Sequence, residues 1–457
     1  MRPKTDLMRG SRVKFCSAST MGKAKSYILL LWLAFESVHG YAQKFNYYEK
    51  LVPEYTLPDA LKMQDGTPIK SIRSWERKRR PELLSLFQEH VYGQTRHVPK
   101  KLRYRVASTD RNALGGLATR KEVVIFLADD TTRRINLLVY LPNSQNSPVA
   151  MFMGLNFAGN QTIHADPGIS MSKSWTRFAN KPGFNQDGTA NEGSRGAYAS
   201  RWQLEAILEK GYGLATAYHG DLQLDRRDAA TLPQNFYTWY NQDRSLQPGE
   251  NDWGIIGVWA WGLSRMMDYL EQDPDVDANR VALVGHSRLG KAVLWAGAQD
   301  ERFAMVVSNN SGEGGAALAR RKFGETVEEI TQAAPHWFGA NFKKFARKEE
   351  ELPVDFHQLL ALISPRPLYV ASSSEDLWAD PKGEYLSAYH AGAAYKLYKL
   401  NALCSSAPPA VGEPVQEGVI GYHNRKGAHD ITRYDWDLYL SFADKHLKPA
   451  SFSAKQK

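Results

Sequence analysis

The sequence predicts an α/β fold in which a mostly parallel sheet lies between two helical layers, and three observations predict it. Apolar, β-branched runs alternate with segments of helical periodicity, the pattern of a parallel sheet built from strand–helix–strand units. One of these runs, Val281-Ala-Leu-Val284, ends in Gly285-His-Ser-Arg-Leu-Gly290, and a helix-like segment from Lys291 to Ala298 follows. A strand that turns sharply into a helix around one Ser is how α/β-hydrolases present a nucleophile. The third observation is order: a nucleophile, an acid-bearing strand end and a His-bearing loop follow one another along the chain, as that three-layer fold requires.

The elements run as follows. Lys23 and Lys25 precede the apolar run Ile28–Phe35, and small residues cluster near Gly40-Tyr-Ala42. That is the layout of a secretory signal, with Met21 an alternative start. The run is too short for an ordinary membrane span, and the absence of Cys near the cleavage site argues against a lipid anchor. Residues 43–450 are expected to form a single catalytic domain, with 43–120 as an N-terminal region packed on it and 451–457 as a tail. A helix is expected near Arg80–His90. Strands are expected at Glu122–Phe126, Arg134–Tyr140, Val149–Met153 and Tyr212–Tyr218. The stretch from Gly159 to Ser200, rich in Gly, Asn and Ser, reads as insertion loops. Gly254 to Leu270 is apolar at helical spacing and leads to the nucleophile strand. Pro367–Ala371 reads as a buried strand. It runs into a loop holding Glu375, Asp376 and Asp380, and then comes a Gly-flanked loop, Gly421–Asp430, before a helix over Tyr434–His446.

Composition narrows the function. The chain has 457 residues, 43% hydrophobic and 11% aromatic, enough for a large core. The first 42 residues hold seven basic side chains against Asp6 and Glu36, a local +5, which leaves about +4 of the chain's +9. No Lys/Arg block remains that would suggest a nucleic-acid footprint. Cys16 falls in the signal and leaves Cys404 alone, so no internal disulfide is expected, which suits a periplasmic protein with a large core. No His pair stands at helical ligand spacing with a third ligand nearby, so neither metal nor cofactor is expected. A monomer is expected, with no stable membrane insertion after signal cleavage.

The chemistry centres on Ser287. A free hydroxyl is a poor nucleophile at neutral pH and needs a base to take its proton. His286, His423 and His429 are the candidates. His286 adjoins the nucleophile and reads as packing or loop support, and His423 precedes the turn glycine and reads as structural. His429 has the chain order and flanking sequence of the base. Charge that builds on the carbonyl oxygen needs preorganised donors. The backbone N–H of Arg288 is the expected one, and the loop Gly154-Leu-Asn-Phe-Ala-Gly159 is placed to supply another. Lys291 lies one helical turn past Ser287, near the same face.

Four segments together, Gly285–Lys291, Ser308–Gly315, Asp376–Pro381 and His429-Asp430, resemble the bacterial branch of the glucuronoyl esterases over roughly Phe152 to His446. Those carbohydrate esterases cleave the ester between glucuronic acid on xylan and lignin alcohols. The resemblance implies His429 as the base and the Arg288 side chain as a second oxyanion donor. It also implies Glu325 as an acceptor of sugar hydroxyls. Lys291, placed to donate to sugar hydroxyls, and Trp378, with an apolar face for a pyranose ring, are substrate-binding candidates beside it, with His336-Trp337 as further ones. For the acid the chain departs from the fungal branch, whose triad Glu corresponds to Asn310 here. An amide cannot stabilise an imidazolium as a carboxylate does. Glu313 lies three residues later, among glycines, and Glu375-Asp376 sits at the usual strand end. Asp376, matched by the Asp-x-Trp motif of bacterial relatives, is the expected acid. The expectation is a secreted, metal-free serine esterase acting on glucuronoyl esters of xylan. The alternatives are an esterase for another carbohydrate ester, such as acetylated xylan, or a catalytically silent carbohydrate-binding protein.

Overall fold

The computed structural model describes residues 45–95, 102–127, 133–145, 148–228, 249 and 251–448. The signal-like segment and the tail expected at 451–457 lie outside these residues. From Tyr47 onward the chain forms one unit. Its frame is a nine-stranded sheet of order β1-β2-β3-β5-β4-β6-β7-β8-β9. The strands are β1 (Arg103–Ala113), β2 (Ala118–Phe126), β3 (Arg134–Pro142), β4 (Val149–Asn156), β5 (Gly213–Tyr218), β6 (Val276–His286), β7 (Met305–Asn309), β8 (Leu368–Ser373) and β9 (Ile420–Arg425). The pairs β1–β2, β2–β3 and β3–β5 are antiparallel, and the six strands from β5 to β9 run parallel. The order reverses at β4, which lies between β5 and β6. In open α/β sheets that reversal opens a crevice at the carboxyl ends of the strands.

The fold matches the expected α/β-hydrolase architecture, with three differences of detail. Arg103–Ala113 is a strand that the sequence pattern did not signal, because its edge position leaves most of its residues exposed and polar. The short buried strand Met305–Asn309 was also unforeseen. Ile420–Arg425 is a strand rather than the first half of a loop, since His423 and Arg425 both bond Asp435 inside the protein.

Both sheet faces are covered, as the near-continuous apolar strands require. Alternate residues of one strand serve opposite faces. Met151 and Met153 enter one core, with Trp259, Trp295, Phe356 and Tyr395, while Phe152 enters the other, with Ile207, Trp436 and Phe442. The first face carries helices α1 (Arg80–Phe87), α3 (Ile255–Leu270), α4 (Arg288–Gln299), α5 (Phe356–Ala361) and α6 (Pro381–Leu397). The second carries α2 (Leu204–Glu209) and α7 (Arg433–Leu447). The N-terminal region belongs to the main core, for Tyr92 stacks on Trp295 at 4.6 Å between ring centroids. Its later part, from Arg103, supplies strands to the sheet.

Candidate active site

Ser287 stands between β6 and α4 with φ 58° and ψ −133°, a conformation that L-residues rarely adopt. Its N–H donates to Asn309 O at 2.9 Å, and its own carbonyl accepts from Gly290 N at 2.8 Å, so the turn is tied on both sides. Gly285 is required by close approach, because a Cβ there would lie 2.3 Å from Leu289 O. Arg288 is the first residue of α4, so its N–H has no intrahelical acceptor and is free to serve an anion.

His429 Nδ1 lies 2.6 Å from Asp376 Oδ2. Its ring is 4.5 Å from that of His286, the residue before Ser287, which sets it beside the turn. The side chain of His429 stays 42% exposed while that of Asp376 is 6% exposed, so the imidazole is open to solvent and the carboxyl is not. Burial pushes the Asp376 carboxyl up, but the hydrogen bond and charge of His429, the Asn310 amide and the charge of Lys291 outweigh it. The carboxyl is held below the usual range.

Neither rival acid contacts His429. Glu313 is buried, accepts from Gly314 N at 3.1 Å, and is pushed well above its ordinary range by burial and by neighbouring carboxylates. Glu375 is exposed, and its backbone N–H donates to Gly427 O at 3.1 Å. Asn310 has a place in the site that sequence reading did not foresee. In the left-handed region at φ 46°, it donates from Nδ2 to Asp376 Oδ2 at 2.8 Å and accepts from Ser373 Oγ at 3.1 Å. It thus grips the oxygen that faces His429.

The other histidines are tied into the interior. His423 is buried between Asp435 Oδ1 at 2.9 Å and the Tyr369 hydroxyl at 3.0 Å. His286 Nδ1 lies 2.6 Å from Asn309 Oδ1, and burial holds the ring well below its ordinary pKa, hence neutral.

Arg288 Nε lies 2.9 Å from Asp225 Oδ2, out of line for a hydrogen bond. Its guanidinium carbon is 4.7 Å from the Phe157 ring centroid and 5.8 Å from that of Trp337. Burial pushes the group down and the Asp225 charge opposes this. The loop expected to add an oxyanion donor begins as strand, since Gly154–Asn156 is in β4, and what it brings near Arg288 is the Phe157 ring.

Lys291 is buried, with Nζ donating to the carbonyls of Ser311 and Glu313 and lying 3.9 Å from Glu325 Oε2. Burial lowers its pKa against the pull of Glu325, Glu313, Glu384 and Asp376. Glu325 is pushed up by burial, although Lys291 and a side-chain hydrogen bond with Trp378 work the other way. Its backbone N–H donates to Trp378 O at 2.9 Å, which requires Gly324, where a Cβ would lie 2.6 Å from that carbonyl. Lys291, Glu325 and Trp378 therefore form one connected group. His336 and Trp337 converge instead on Asp225, at 2.9 and 2.8 Å. Among the described residues no cluster of His, Cys, Asp and Glu could hold a metal ion.

Comparison with known proteins places the chain. The family model for glucuronyl esterase of fungi matches residues 202–400. A carbohydrate esterase, MZ0003, from an unidentified prokaryote is 46% identical over 418 residues, 91% of this chain and 95% of the relative. A 4-O-methyl-glucuronoyl methylesterase of Wolfiporia cocos is 26% identical over 409 residues, 87% of this chain and 82% of the relative. Among solved structures, a glucuronoyl esterase from Solibacter usitatus superposes with TM-score 0.82 at 45% identity, covering 87% of this chain and all (100%) of that one. A promiscuous esterase of carbohydrate esterase family 15 from a marine bacterial metagenome gives TM-score 0.81 at 46% identity, covering 88% and 100%. With that identity over nearly its whole length, the chain belongs to the bacterial glucuronoyl esterases of carbohydrate esterase family 15.

Proposed function

We propose that this carboxylic ester hydrolase cleaves the ester between glucuronic acid of glucuronoxylan and lignin alcohols through a Ser287–His429–Asp376 triad. The observation that carries the reading is the 2.6 Å contact of His429 with the buried Asp376, set beside the turn that bears Ser287. His429 takes the Ser287 proton as Oγ attacks the ester carbonyl, and Asp376 stabilises the imidazolium. The oxyanion that forms is held by the Arg288 N–H and the Arg288 guanidinium. The intermediate collapses, and His429 returns the proton to the departing alcohol. Water then attacks the acyl-enzyme with His429 again as base and releases the free glucuronate and Ser287. Lys291, Glu325 and Trp378 bind the sugar, the first two through hydroxyl groups and Trp378 through its ring face.

The enzyme is read as secreted and monomeric. Among the described residues no helix is long and apolar enough to cross a membrane. The signal-like segment supports export to the periplasm, which fractionation of expressing cells would check.

The test is turnover by the purified mature chain of benzyl and methyl glucuronate against acetylated xylan, with a serine-directed probe. Hydrolysis of the glucuronate esters and labelling of Ser287 are expected. Hydrolysis of acetylated xylan alone would change the substrate, and an unlabelled Ser287 with no turnover would make the cleft a binding site only.

A further inference from the structure

Asp225 lies on the loop that follows β5, with its side chain 4% exposed. It gathers four side chains, three as hydrogen-bond donors and Arg288 as an ion-pair partner, from three separate parts of the chain. Oδ1 accepts from His336 Nε2 at 2.9 Å and from Trp337 Nε1 at 2.8 Å, while Oδ2 meets Arg177 Nη1 at 3.3 Å and Arg288 Nε at 2.9 Å. A carboxylate offers about four lone-pair sites; three accept hydrogen bonds here, and the Arg288 guanidinium adds its charge at 2.9 Å. Burial would push the acid up, but the bonds from His336 and Trp337 and the charge of Arg288 hold it well below the usual range, so it is an anion.

This anion fixes the surroundings of Arg288 on two sides. It holds the Nε edge as an ion pair at 2.9 Å. It also holds Trp337, whose ring centroid is 5.8 Å from the Arg288 guanidinium and 5.9 Å from Lys291 Nζ. Phe157 covers the guanidinium at 4.7 Å. The 11% of the side chain left exposed is what remains for substrate. A long cationic side chain held this way does not have to be ordered when the oxyanion forms, and preorganisation is where such donors gain their effect. A buried Arg without its carboxylate would be an uncompensated charge and would turn toward water.

We propose that Asp225 is a positioning residue for catalysis, a buried anchor that locks the Arg288 guanidinium and the Trp337 ring in the geometry needed for oxyanion stabilisation. The inference rests on the reading of Arg288 as an oxyanion donor. It assigns Asp225 no contact with substrate, so its loss shows in kcat rather than KM.

A double-mutant cycle on benzyl glucuronate tests it, with Asp225→Asn, Arg288→Ala, the double variant and the parent enzyme. Arg288→Ala is expected to lower kcat about a hundredfold. Asp225→Asn, which keeps the shape but not the charge, is expected to lower kcat at least about tenfold with KM within about twofold, and the double variant is expected to be no slower than Arg288→Ala. Losses that multiply in the double variant, or full kcat in Asp225→Asn, overturn the proposal. Full kcat in Arg288→Ala instead overturns the oxyanion reading, and the proposal with it. If Asp225→Asn shows no cooperative melting, Arg288→Lys replaces it. That variant keeps the charge but lacks the Nε edge that Asp225 holds, so it should also lose at least about tenfold in kcat, and full kcat in it overturns the proposal.

Discussion

At the scale of single residues, the site divides into groups that react and groups that hold them. Ser287→Ala removes the nucleophile at almost no change in volume. It should abolish ester hydrolysis apart from the residue that binding and the oxyanion donors leave, with an unchanged melting temperature. Near-normal turnover in that variant would remove the serine-esterase mechanism. Asp376→Asn keeps the shape of the hydrogen bond to His429 but not the charge, and kcat should fall by about 10⁴. Glu313→Gln should retain parental kcat, because the Glu313 carboxyl accepts from its neighbour's N–H and what holds Lys291 is its backbone carbonyl. The two variants assayed together decide the acid, since full activity in the first and loss in the second would move it to Glu313. Asn310 supports the carboxyl proposed as the acid, just past the end of β8. Its amide donates to the Asp376 oxygen that faces His429.

At the scale of elements, the turn from β6 into α4 was legible because its requirements are local. A strand, a Gly and a Ser must follow one another, and Gly285 is irreplaceable because its α-carbon faces Leu289 O. Gly285→Ala should therefore distort the turn, lowering both kcat and melting temperature, with a cost of about 1–3 kcal/mol for the overpacking. Gly290→Ala should cost less, since its nearest contacts would be Ser311 Cβ at 3.0 Å and Gly285 O at 3.1 Å. Equal melting temperatures and rates in both variants and the parent would refute this account of the turn. Elements whose logic is distant were not legible. In β9, His423 and Arg425 look like loop residues in the sequence, yet both pair with Asp435 at the start of α7. Edge strand β1 shows no apolar alternation, because its neighbour on one side is water. Asp225 is one of several loop acids, and only the folded chain brings His336, Trp337, Arg177 and Arg288 to it.

At the scale of the whole molecule, the sheet places its polar chemistry where strand ends, loops and helix starts meet, so carboxyl groups are carried into the interior along with the apolar core. Glu384, in the first turn of α6, is fully buried and accepts from Ser372 Oγ at 2.6 Å and Gly312 N at 3.0 Å. Burial, with the nearby charge of Asp376, outweighs those bonds and raises its pKa from an ordinary 4.5 to about 8. Between these values the folded protein keeps the proton while the unfolded chain has released it, so unfolding gives up a proton and stability falls as pH rises. The slope from one such group is up to about 1.4 kcal/mol per pH unit, and it vanishes below the lower value and above the upper one. Glu313 and Glu325, also raised by burial, add to the same trend in the parent enzyme. Glu384→Gln keeps the size of the side chain and an oxygen to accept from Gly312 N, but it cannot ionise. Denaturant unfolding at pH 5, 6, 7 and 8 should show the variant gaining stability relative to the parent at each step. Stability curves that stay parallel across that range would mean that Glu384 is already ionised in the folded enzyme at pH 5, with the bonds from Ser372 and Gly312 holding the charge.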